Sequence, residues 1–269
     1  MDDEFDFDGL FEGDCGYFGG RKNHEEIYLM PVDDDECRSI VGNVENPVLT
    51  CFDFMLSEGF RRSGCYLYRA TCPDCRKCVP IRIRVEDFEF SKSQRHLLRK
   101  NSDIELSITS TRSKMISDEK IELMMMYNKR HEPDSNDGLD ETKDILCSLN
   151  GLFGGFGELL SEPLYCGTIN MDYRLDGKLV GVGVVDLGAV SLSSNYFYYD
   201  TSDEIMKRSI GTFTILKEIE FCKEHGIPYY YLGYYLSECR KMSYKGRFLP
   251  HELLIDGEWK KQTEQNFCV

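Results

Sequence analysis

Two aromatic runs, Asn195-Tyr-Phe-Tyr-Tyr199 and Tyr229-Tyr-Tyr-Leu-Gly-Tyr-Tyr235, have the composition of β-strands buried in a sheet. The residues Ser209-Ile-Gly-Thr212 between them predict the start of a helix, which Gly226 ends. One apolar face of that helix recurs at helical spacing and consists of Ile210, Phe213, Leu216, Ile219 and Cys222. A strand, a helix and a second strand in this order predict two parallel strands joined by a right-handed crossover.

A β-hairpin is predicted upstream of this unit. Its strands are expected at Cys166–Tyr173 and Lys178–Asp186, and Asp176-Gly177 is typical of the two-residue turn that joins such strands. A hairpin beside a strand–helix–strand unit predicts an α+β fold with a mixed sheet. The order of the elements resembles the acetyltransferase-like (GNAT-type) fold, in which the N-terminus of a helix after a long strand meets the acyl donor.

Three regions are predicted along the chain. They are an acidic tail at residues 1–14, a smaller N-terminal α+β domain at residues 15–105 and the acetyltransferase-like domain at residues 106–269. The tail carries seven acidic residues and no basic residue. A length of 269 residues with 41% hydrophobic and 12% aromatic residues predicts a globular protein with a sizeable core.

No membrane partner is predicted, because no apolar run approaches the length of about 20 residues that a membrane-spanning helix needs. The acidic start, Met1-Asp-Asp-Glu4, lacks the basic residues of a secretory signal peptide. We therefore expect a cytoplasmic protein in which the twelve cysteines stay mostly reduced.

The segment from residue 61 to residue 100 differs in charge from the rest of the chain. The chain has a formal net charge of −15, whereas this segment contains eleven basic and four acidic residues. Ser91 and Gln94 have the spacing of a capping box that opens a helix. The basic residues that share one face of this helix are Lys92, Arg95, His96, Arg99 and Lys100. Such a face is often merely solvated, but like charges this close repel one another, and nucleic acid would relieve the repulsion.

Three cysteines, Cys72, Cys75 and Cys78, recur at two-residue spacing and offer three soft metal ligands within seven residues. A tetrahedral site needs a fourth ligand, for which Cys15 is a candidate. The alternative is that these are half-buried cysteines of a tight turn before the next strand. Both interpretations stay open.

The strand predicted at Val79–Val85 alternates apolar residues with Arg82 and Arg84. Both guanidinium groups are therefore expected on one face of the strand. In that arrangement they suit a carboxylate or a phosphate ligand. The alternative is that both side chains are simply solvated.

Several blocks of residues occur in the same order as in aminoacyl-tRNA–protein transferases. In the first half of the chain these blocks are Gly59-Phe-Arg-Arg-Ser-Gly64, Cys75-Arg-Lys-Cys-Val-Pro-Ile-Arg82 and Ser91-Lys-Ser-Gln-Arg95. In the second half they are Ser191-Leu-Ser-Ser194, Tyr231-Leu-Gly-Tyr234, Cys239-Arg-Lys-Met-Ser-Tyr-Lys245, Phe248-Leu-Pro250 and Gly257-Glu-Trp259. The chain resembles this family from about residue 15 to residue 260. Its compact length is similar to that of the bacterial aspartate/glutamate leucyltransferases, which are related to the usually longer eukaryotic arginyl-tRNA–protein transferases.

The resemblance implies the transfer of an amino acid from its ester on the terminal ribose of a tRNA to an acceptor protein. The α-amine of an acceptor that begins with Asp or Glu attacks the ester, and the new N-terminal Leu or Arg is an N-degron that marks the product for degradation. An α-amine with a pKa of about 8 is about one-tenth neutral at pH 7. Positioning and oxyanion stabilisation are therefore expected to dominate, with aminoacyl-tRNA as the donor and no required cofactor.

The resemblance also suggests roles for single residues. Contacts to tRNA are predicted for Lys92, Arg95, Arg99, Lys100 and Arg240. Recognition of the acidic acceptor side chain is predicted for Arg76, Arg82 and Arg84. The catalytic groups and the lining of the aminoacyl pocket are predicted at Tyr231, Tyr235, Asp186, Lys241 and Lys245, with backbone N–H groups of Ser209–Thr212 near the ester. A zinc or iron–sulfur site at Cys15, Cys72, Cys75 and Cys78 stays an alternative. Some arginyltransferases have an N-terminal Cys-Gly-Tyr-Cys element, and in this chain Phe18 takes the place of its second cysteine.

Three alternatives stay open. Leucyl-tRNA is the donor by resemblance to the bacterial branch, whereas an arginyl donor would need a pocket carboxylate such as Asp186, Glu218 or Glu238. A coenzyme A-dependent acetyltransferase would need a fuller glycine-rich loop than Arg208-Ser-Ile-Gly211. A non-enzymatic RNA-binding or metal-sensing module would explain the basic helix and the cysteines, but not the second half of the chain.

Overall fold

The computed structural model describes residues 9–110, 115–131, 148–153 and 164–263. The chain divides into two units with dense internal contacts. The first unit is made of residues 1–88, 188–193 and 228–269. The second unit is made of residues 89–187 and 194–227.

Strands and helices are numbered in chain order. The strands are β1 (Gly9–Asp14), β2 (Lys22–Leu29), β3 (Arg61–Ser63), β4 (Tyr66–Ala70), β5 (Val79–Arg84), β6 (Ile104–Thr109), β7 (Thr168–Leu175), β8 (Lys178–Leu187), β9 (Ser191–Tyr199), β10 (Tyr229–Tyr235), β11 (His251–Ile255) and β12 (Glu258–Gln262). The principal helices are α1 (Asp34–Val41), α2 (Pro47–Ser57), α3 (Lys92–Lys100), α4 (Asp118–His131), α5 (Asp203–Met206), α6 (Ile210–Glu224) and α7 (Arg240–Ser243). Among the helices that the structure describes, none has the length and apolar character that crossing a membrane requires.

The first unit contains two sets of paired strands. Strands β1, β2, β4 and β3 form an antiparallel sheet in that order. The second set has the order β12-β11-β5-β10, followed by residues 191–193 at the start of β9. Strand β10 pairs antiparallel with β5 and parallel with β9, where Tyr230 lies opposite Leu192. A bulge interrupts the pairing with β5 between Tyr231 and Gly233, and Gly233 has a φ of 90° that favours glycine.

The second unit contains strands in the order β9-β8-β7-β6, to which β9 contributes its residues from Ser194 onward. Strands β7 and β8 form the predicted hairpin, whose turn residues Asp176 and Gly177 have φ values of 49° and 80°. Two positive φ values are those of a type I′ turn, which matches the twist of paired antiparallel strands. Helix α6 buries all five residues of its predicted apolar face.

The predicted α+β fold with a large mixed sheet is confirmed, since the parallel pair β9 and β10 occurs beside antiparallel pairs. The first aromatic run is less buried than predicted. Tyr198 is buried, whereas Asn195, Tyr196, Phe197 and Tyr199 are half-buried. Rings on this strand pack against one another, with 5.3 Å between the ring centroids of Phe197 and Tyr199.

The acidic tail predicted at residues 1–14 is only partly described. Residues 9–14 form strand β1 and pair with β2 along their whole length, so this part is not a free tail. Residues 1–8 lie outside the described residues. The division into domains at residues 15–105 and 106–269 stays a prediction, because dense contacts and independent folding are different properties.

The turn before strand β9 depends on close contact between Gly188 and Asp53 in the first unit. Asp53 of helix α2 accepts hydrogen bonds from the amide of Val190, at 2.9 Å, and from the hydroxyl of Ser191. A Cβ atom at residue 188 would lie only 1.9 Å from Asp53 Oδ1. A side chain at this position therefore requires either Asp53 or the turn to move.

We expect Gly188→Ala to lower the free energy of unfolding by about 1–3 kcal/mol, as overpacking at a tight contact does. Gly16→Ala is the matched control, because a Cβ atom there meets nothing within 4 Å. Urea denaturation of both variants and the wild type measures the difference. Equal stability of the two variants would contradict the prediction.

Candidate active site

The basic face of helix α3 lies in the second unit and is exposed. It consists of Lys92, Arg95, His96, Arg99 and Lys100, and is called the cationic face below. The predicted capping box is present, since the Ser91 hydroxyl accepts from the Gln94 amide at 3.2 Å and the Ser91 amide donates to Gln94 Oε1 at 2.8 Å. The prediction of a capped helix with an exposed basic face is therefore confirmed.

The cationic face has no acidic partners among the described residues. Two of its side chains are held by the main chain instead. Arg95 donates to the carbonyl oxygen of Phe90, and Lys100 Nζ donates to that of Lys207 at 2.7 Å. Four permanent positive charges and a histidine on one exposed face attract a polyanion.

The cationic face adjoins the start of helix α6 within the second unit. The buried side chain of Asn101, just after α3, donates to the carbonyl oxygen of Arg208 at 3.1 Å. Helix α6 begins after Ser209, whose φ of 55° is left-handed and whose side chain does not cap the helix. Because the first N–H groups of a helix have no partner within it, the positive end of this 15-residue helix suits an anionic ligand.

Two cations of the first unit are buried at the bulge of strand β10. Arg61 Nη2 donates to the carbonyl oxygen of Gly233 at 2.8 Å, and Lys245 Nζ donates to the carbonyl oxygen of Tyr234 at 3.0 Å. Arg61 is 4% exposed and Lys245 is 8% exposed. Two successive carbonyl groups of one strand therefore hold two buried positive charges.

The surroundings of these two cations disfavour their charged forms. Burial lowers the pKa of Arg61, whose guanidinium carbon lies 5.2 Å from the ring centroid of Tyr231. Burial, followed by the nearby charge of Arg61, lowers the pKa of Lys245 to about 7, and Cys239 acts in the opposite direction. A bound anion would stabilise both charged forms.

The three arginines predicted to recognise an acidic acceptor each have partners of their own. Arg82 Nε donates to Glu252 at 2.7 Å, and little of either side chain is exposed. Arg84 forms an ion pair with Glu86. Arg76 donates to main-chain carbonyl oxygens of its own loop. Their assignment to the acceptor stays a prediction.

The structure brings two of the predicted catalytic residues together with a residue that the sequence does not single out. Tyr231 and Lys245 both lie beside Arg61 in the first unit. Arg61 stands in the block Gly59-Phe-Arg-Arg-Ser-Gly64, which carries part of the family resemblance. Its place in that block is the signal that could have identified it.

The other predicted catalytic and tRNA-binding residues lie elsewhere. Tyr235 is buried in strand β10, and Arg240 and Lys241 are exposed on helix α7. Asp186 lies in the second unit, where it accepts a hydrogen bond from Thr168 at 2.7 Å. The roles of these residues stay predictions.

The predicted cysteine ligands influence one another electrostatically in the first unit. Burial, and then the nearby thiols of Cys72, Cys75 and Cys15, raise the pKa of Cys78 to about 12. In the described part of the chain, however, no group of three or more His, Cys, Asp or Glu side chains could hold a metal ion. Cys72 instead accepts a hydrogen bond from the amide of His24 at 3.4 Å. A metal at these cysteines stays a prediction.

Comparison with known proteins places both halves of the chain in one family. The family model described as "Arginine-tRNA-protein transferase, N terminus" matches residues 13–96, and the model for the C terminus of the same family matches residues 119–255. The aspartate/glutamate leucyltransferase of Aeromonas hydrophila subsp. hydrophila is 35% identical over 247 residues, which cover 91% of this chain and 90% of the relative. The aspartate/glutamate leucyltransferase of Alcanivorax borkumensis is 37% identical over 209 residues, which cover 77% of this chain and 79% of the relative.

Solved structures resemble the chain only weakly. FemX shares 10% identity with a TM-score of 0.43 over 91% of this chain and 86% of that chain. The C-terminal domain of a putative lysylphosphatidylglycerol synthetase from Agrobacterium fabrum shares 12% identity with a TM-score of 0.42 over 84% of this chain and 70% of that chain. Scores this low carry no argument about function.

The buried position of Lys245 predicts a pH dependence of stability. Its pKa is about 7 in the folded protein, against an ordinary value of 10.5. Between these two values the unfolded chain binds more protons than the folded chain, so the free energy of unfolding rises with pH. Below pH 7 both states are protonated at this residue, and its unfavourable contribution is fully present.

We expect the wild type to gain about 2 kcal/mol of stability relative to Lys245→Met between pH 7 and pH 9, because Met has no proton to release. The groups that affect Lys245, Arg61 on β3 and Cys239 before α7, are present in both proteins. Urea denaturation at pH 7, 8 and 9 measures the difference. A difference between the two proteins that stays constant over this range would refute the prediction.

Proposed function

The chain belongs to the arginine-tRNA-protein transferase family and is an aminoacyltransferase, and from this premise we propose that it transfers leucine from leucyl-tRNA to proteins that begin with Asp or Glu. The observation that supports this choice of substrates is the likeness, over 91% of the chain, to a relative named aspartate/glutamate leucyltransferase. The coenzyme A-dependent and non-enzymatic alternatives are set aside, because aminoacyltransferase family models match both halves of the chain.

The second unit supplies the proposed binding surface for charged tRNA. Phosphate groups would lie on the cationic face, whose side chains have no acidic partners among the described residues. The aminoacyl ester would lie near the start of helix α6, because Asn101 ties this start to the end of α3. Backbone N–H groups at a helix start stabilise the oxyanion that forms when an ester is attacked.

The proposed reaction depends on positioning more than on acid–base catalysis. The neutral α-amine of the acceptor attacks the ester carbonyl carbon, so that a C–N bond forms and the C–O bond to the terminal ribose breaks. The proton lost by the amine goes to the ribose oxygen, which leaves as a hydroxyl group of the tRNA. The acceptor gains one N-terminal leucine without any change in oxidation state, and aminoacyl-tRNA is the only co-substrate that the step requires.

The cysteines take no part in this proposal. The transfer balances without a metal, and a zinc or iron–sulfur site at Cys15, Cys72, Cys75 and Cys78 stays a separate alternative. Because charged tRNA occurs where proteins are synthesised, we place the reaction in the cytoplasm. The new N-terminal leucine would mark the acceptor for degradation.

Leucine fits the proposal better than arginine, because the acids that could recognise an arginyl donor are engaged or buried. Asp186 accepts a hydrogen bond from Thr168 at 2.7 Å. Glu238 forms an ion pair with Lys77. Glu218 is buried in helix α6. An arginyl side chain would need a pocket carboxylate as its partner, and arginyl-tRNA stays the alternative donor.

A transfer assay tests the proposed function directly. Peptides that begin with Asp, Glu or Ala are offered leucyl-tRNA and arginyl-tRNA in parallel, and transfer of the labelled amino acid is measured. We expect leucine on the Asp and Glu peptides and none on the Ala peptide. Transfer of arginine instead of leucine would mean that arginyl-tRNA is the donor. The absence of transfer from both tRNAs would overturn the proposed function.

The cationic face predicts how tRNA binding depends on salt. Lys92→Ala and Arg99→Ala remove cations that have no acidic partner in the described structure. Each substitution is expected to weaken the binding of leucyl-tRNA and to reduce the slope of log affinity against log salt concentration by about 1. Arg174→Ala is the control, because Arg174 of the same unit is paired with Glu119 at 2.7 Å. Filter binding at several salt concentrations measures the slopes. Wild-type slopes in Lys92→Ala and Arg99→Ala would show that the cationic face does not contact the tRNA.

A further inference from the structure

Arg61 and Lys245 have no acidic partner among the described residues, whereas Arg82, another cation of the first unit with little exposure, has one. Arg82 forms an ion pair with Glu252 at 2.7 Å. Arg61 and Lys245 form no ion pair with any described residue, and their hydrogen bonds go to main-chain carbonyl oxygens. A carbonyl group satisfies one donor but does not neutralise the charge.

The guanidinium group of Arg61 also has unused donors. Its Nε and Nη1 atoms are buried and have no hydrogen-bond partner among the described residues. Burial is the largest cause of its lowered pKa. The hydroxyls of the nearby Tyr231 and Tyr234 accept hydrogen bonds from Arg82 and from the amide of Ala70, each at 3.1 Å.

Two neighbouring buried charges without a counter-ion destabilise the folded chain. Replacing either one by an apolar residue of similar size would remove that cost. Their presence at consecutive carbonyl groups of strand β10 therefore points to an anion that is not part of the chain.

We propose that Arg61 and Lys245 together bind the side-chain carboxylate of the N-terminal Asp or Glu of the acceptor. This inference rests on the proposed function and names the residues that make the reaction specific for acidic termini. A carboxylate beside both cations would accept charge-assisted hydrogen bonds from the unused nitrogens of Arg61 and from Lys245 Nζ. It would also favour the protonated form of Lys245, whose pKa is lowered while no anion is present.

The burial of the two cations favours a slender side chain over a tRNA phosphate as the ligand. Arg61 is 4% exposed and Lys245 is 8% exposed, so the anion has to reach below the surface. A phosphate of the tRNA backbone carries a ribose on either side, and the exposed cationic face suits it better. The ring of Tyr231 lies 5.2 Å from the guanidinium carbon of Arg61, and the burial of both side chains strengthens the attraction for a carboxylate over an uncharged amide.

The segment that carries Lys245 supplies a positively charged approach to the site. Arg240 and Lys241 on helix α7 are exposed, as is Arg247 at the end of the 3-10 helix Tyr244–Arg247. Exposed cations attract a carboxylate over several ångströms, with a strength that falls as salt is added. Arg240 and Lys241 would in this way help to steer the acceptor to Lys245, beside the tRNA contact that the sequence predicts for Arg240.

The test compares peptides that begin with Asp and with Asn, which have nearly the same shape and differ in charge. The kcat/KM for transfer from saturating leucyl-tRNA is measured for the wild type, Arg61→Met and Lys245→Met. We expect each substitution to lower the value for the Asp peptide on the order of 10- to 100-fold and to change the low value for the Asn peptide little. Arg69→Met is the matched control, because Arg69 lies in the same unit and is paired with Glu26 at 2.6 Å, and it should keep the preference for Asp.

A second readout separates this inference from the proposed function. Isothermal titration calorimetry measures the affinity for the same two peptides without tRNA, so it reports on the carboxylate site even where no leucine is transferred. A preference for Asp that collapses in both variants supports the inference. Equal use and equal binding of the two peptides by the wild type, or a full preference in the variants, overturns it.

Binding of leucyl-tRNA to the variants shows whether the two cations bind the acceptor carboxylate or a phosphate of the tRNA. We expect wild-type affinity for tRNA in Arg61→Met and Lys245→Met. Loss of tRNA affinity with an intact preference for Asp would assign the two cations to a phosphate, and would overturn the inference.

The stability of Arg61→Met shows whether the residue is merely structural. Because the substitution removes a buried charge without a counter-ion, we expect a midpoint of thermal unfolding equal to or above that of the wild type. Should this variant fail to fold, Arg61→Lys replaces it in the assays. That variant keeps the charge, loses the planar guanidinium group and is expected to show a reduced preference for Asp.

Discussion

A bulge in strand β10 holds two buried cations, Arg61 and Lys245. Gly233 has a φ of 90°, which residues with a side chain rarely adopt, and a Cβ atom there would lie 3.2 Å from Lys245 Nζ. The bulge interrupts the pairing with β5, and the carbonyl oxygens of Gly233 and Tyr234 bond Arg61 and Lys245. Strand β10 pairs with β5 before and after the bulge and with the start of β9 as far as Tyr231, so paired strands hold the residues that flank the bulge. The geometry around the two cations therefore depends on the sheet rather than on a loop.

Burial separates the exposed cationic face of α3 from the buried pair Arg61 and Lys245. The cationic face of α3 is exposed, so water and salt screen the repulsion between its members and little stability is lost. Such a surface suits a large polyanion that reaches several cations at once. Arg61 and Lys245 are buried, so their charges are poorly screened and lower the stability of the folded chain, a cost that the proposed carboxylate would reduce. The same residue types thus suit two kinds of anion because of the depth at which the fold places them.

Arg82 and Arg84 illustrate how far a sequence pattern leads. Alternation along Val79–Val85 predicts a strand with both arginines on one face, and β5 is that strand. The pattern does not predict which residues lie opposite the two arginines. Arg82 meets Glu252 of β11, and Arg84 meets Glu86.

Features that depend on near neighbours can be predicted from the sequence alone. The capping box and basic face of α3, the apolar face of α6 and the Asp176-Gly177 turn all rest on residues a few positions apart, whose backbone geometry is set locally. Which cations have partners, in contrast, follows from the tertiary structure. Arg82 and Glu252 are 170 positions apart, and Arg61 and the carbonyl group of Gly233 are 172 positions apart. Whether a basic residue is neutralised or left free for a ligand depends on which distant strands pair beside it, and no local periodicity carries that information.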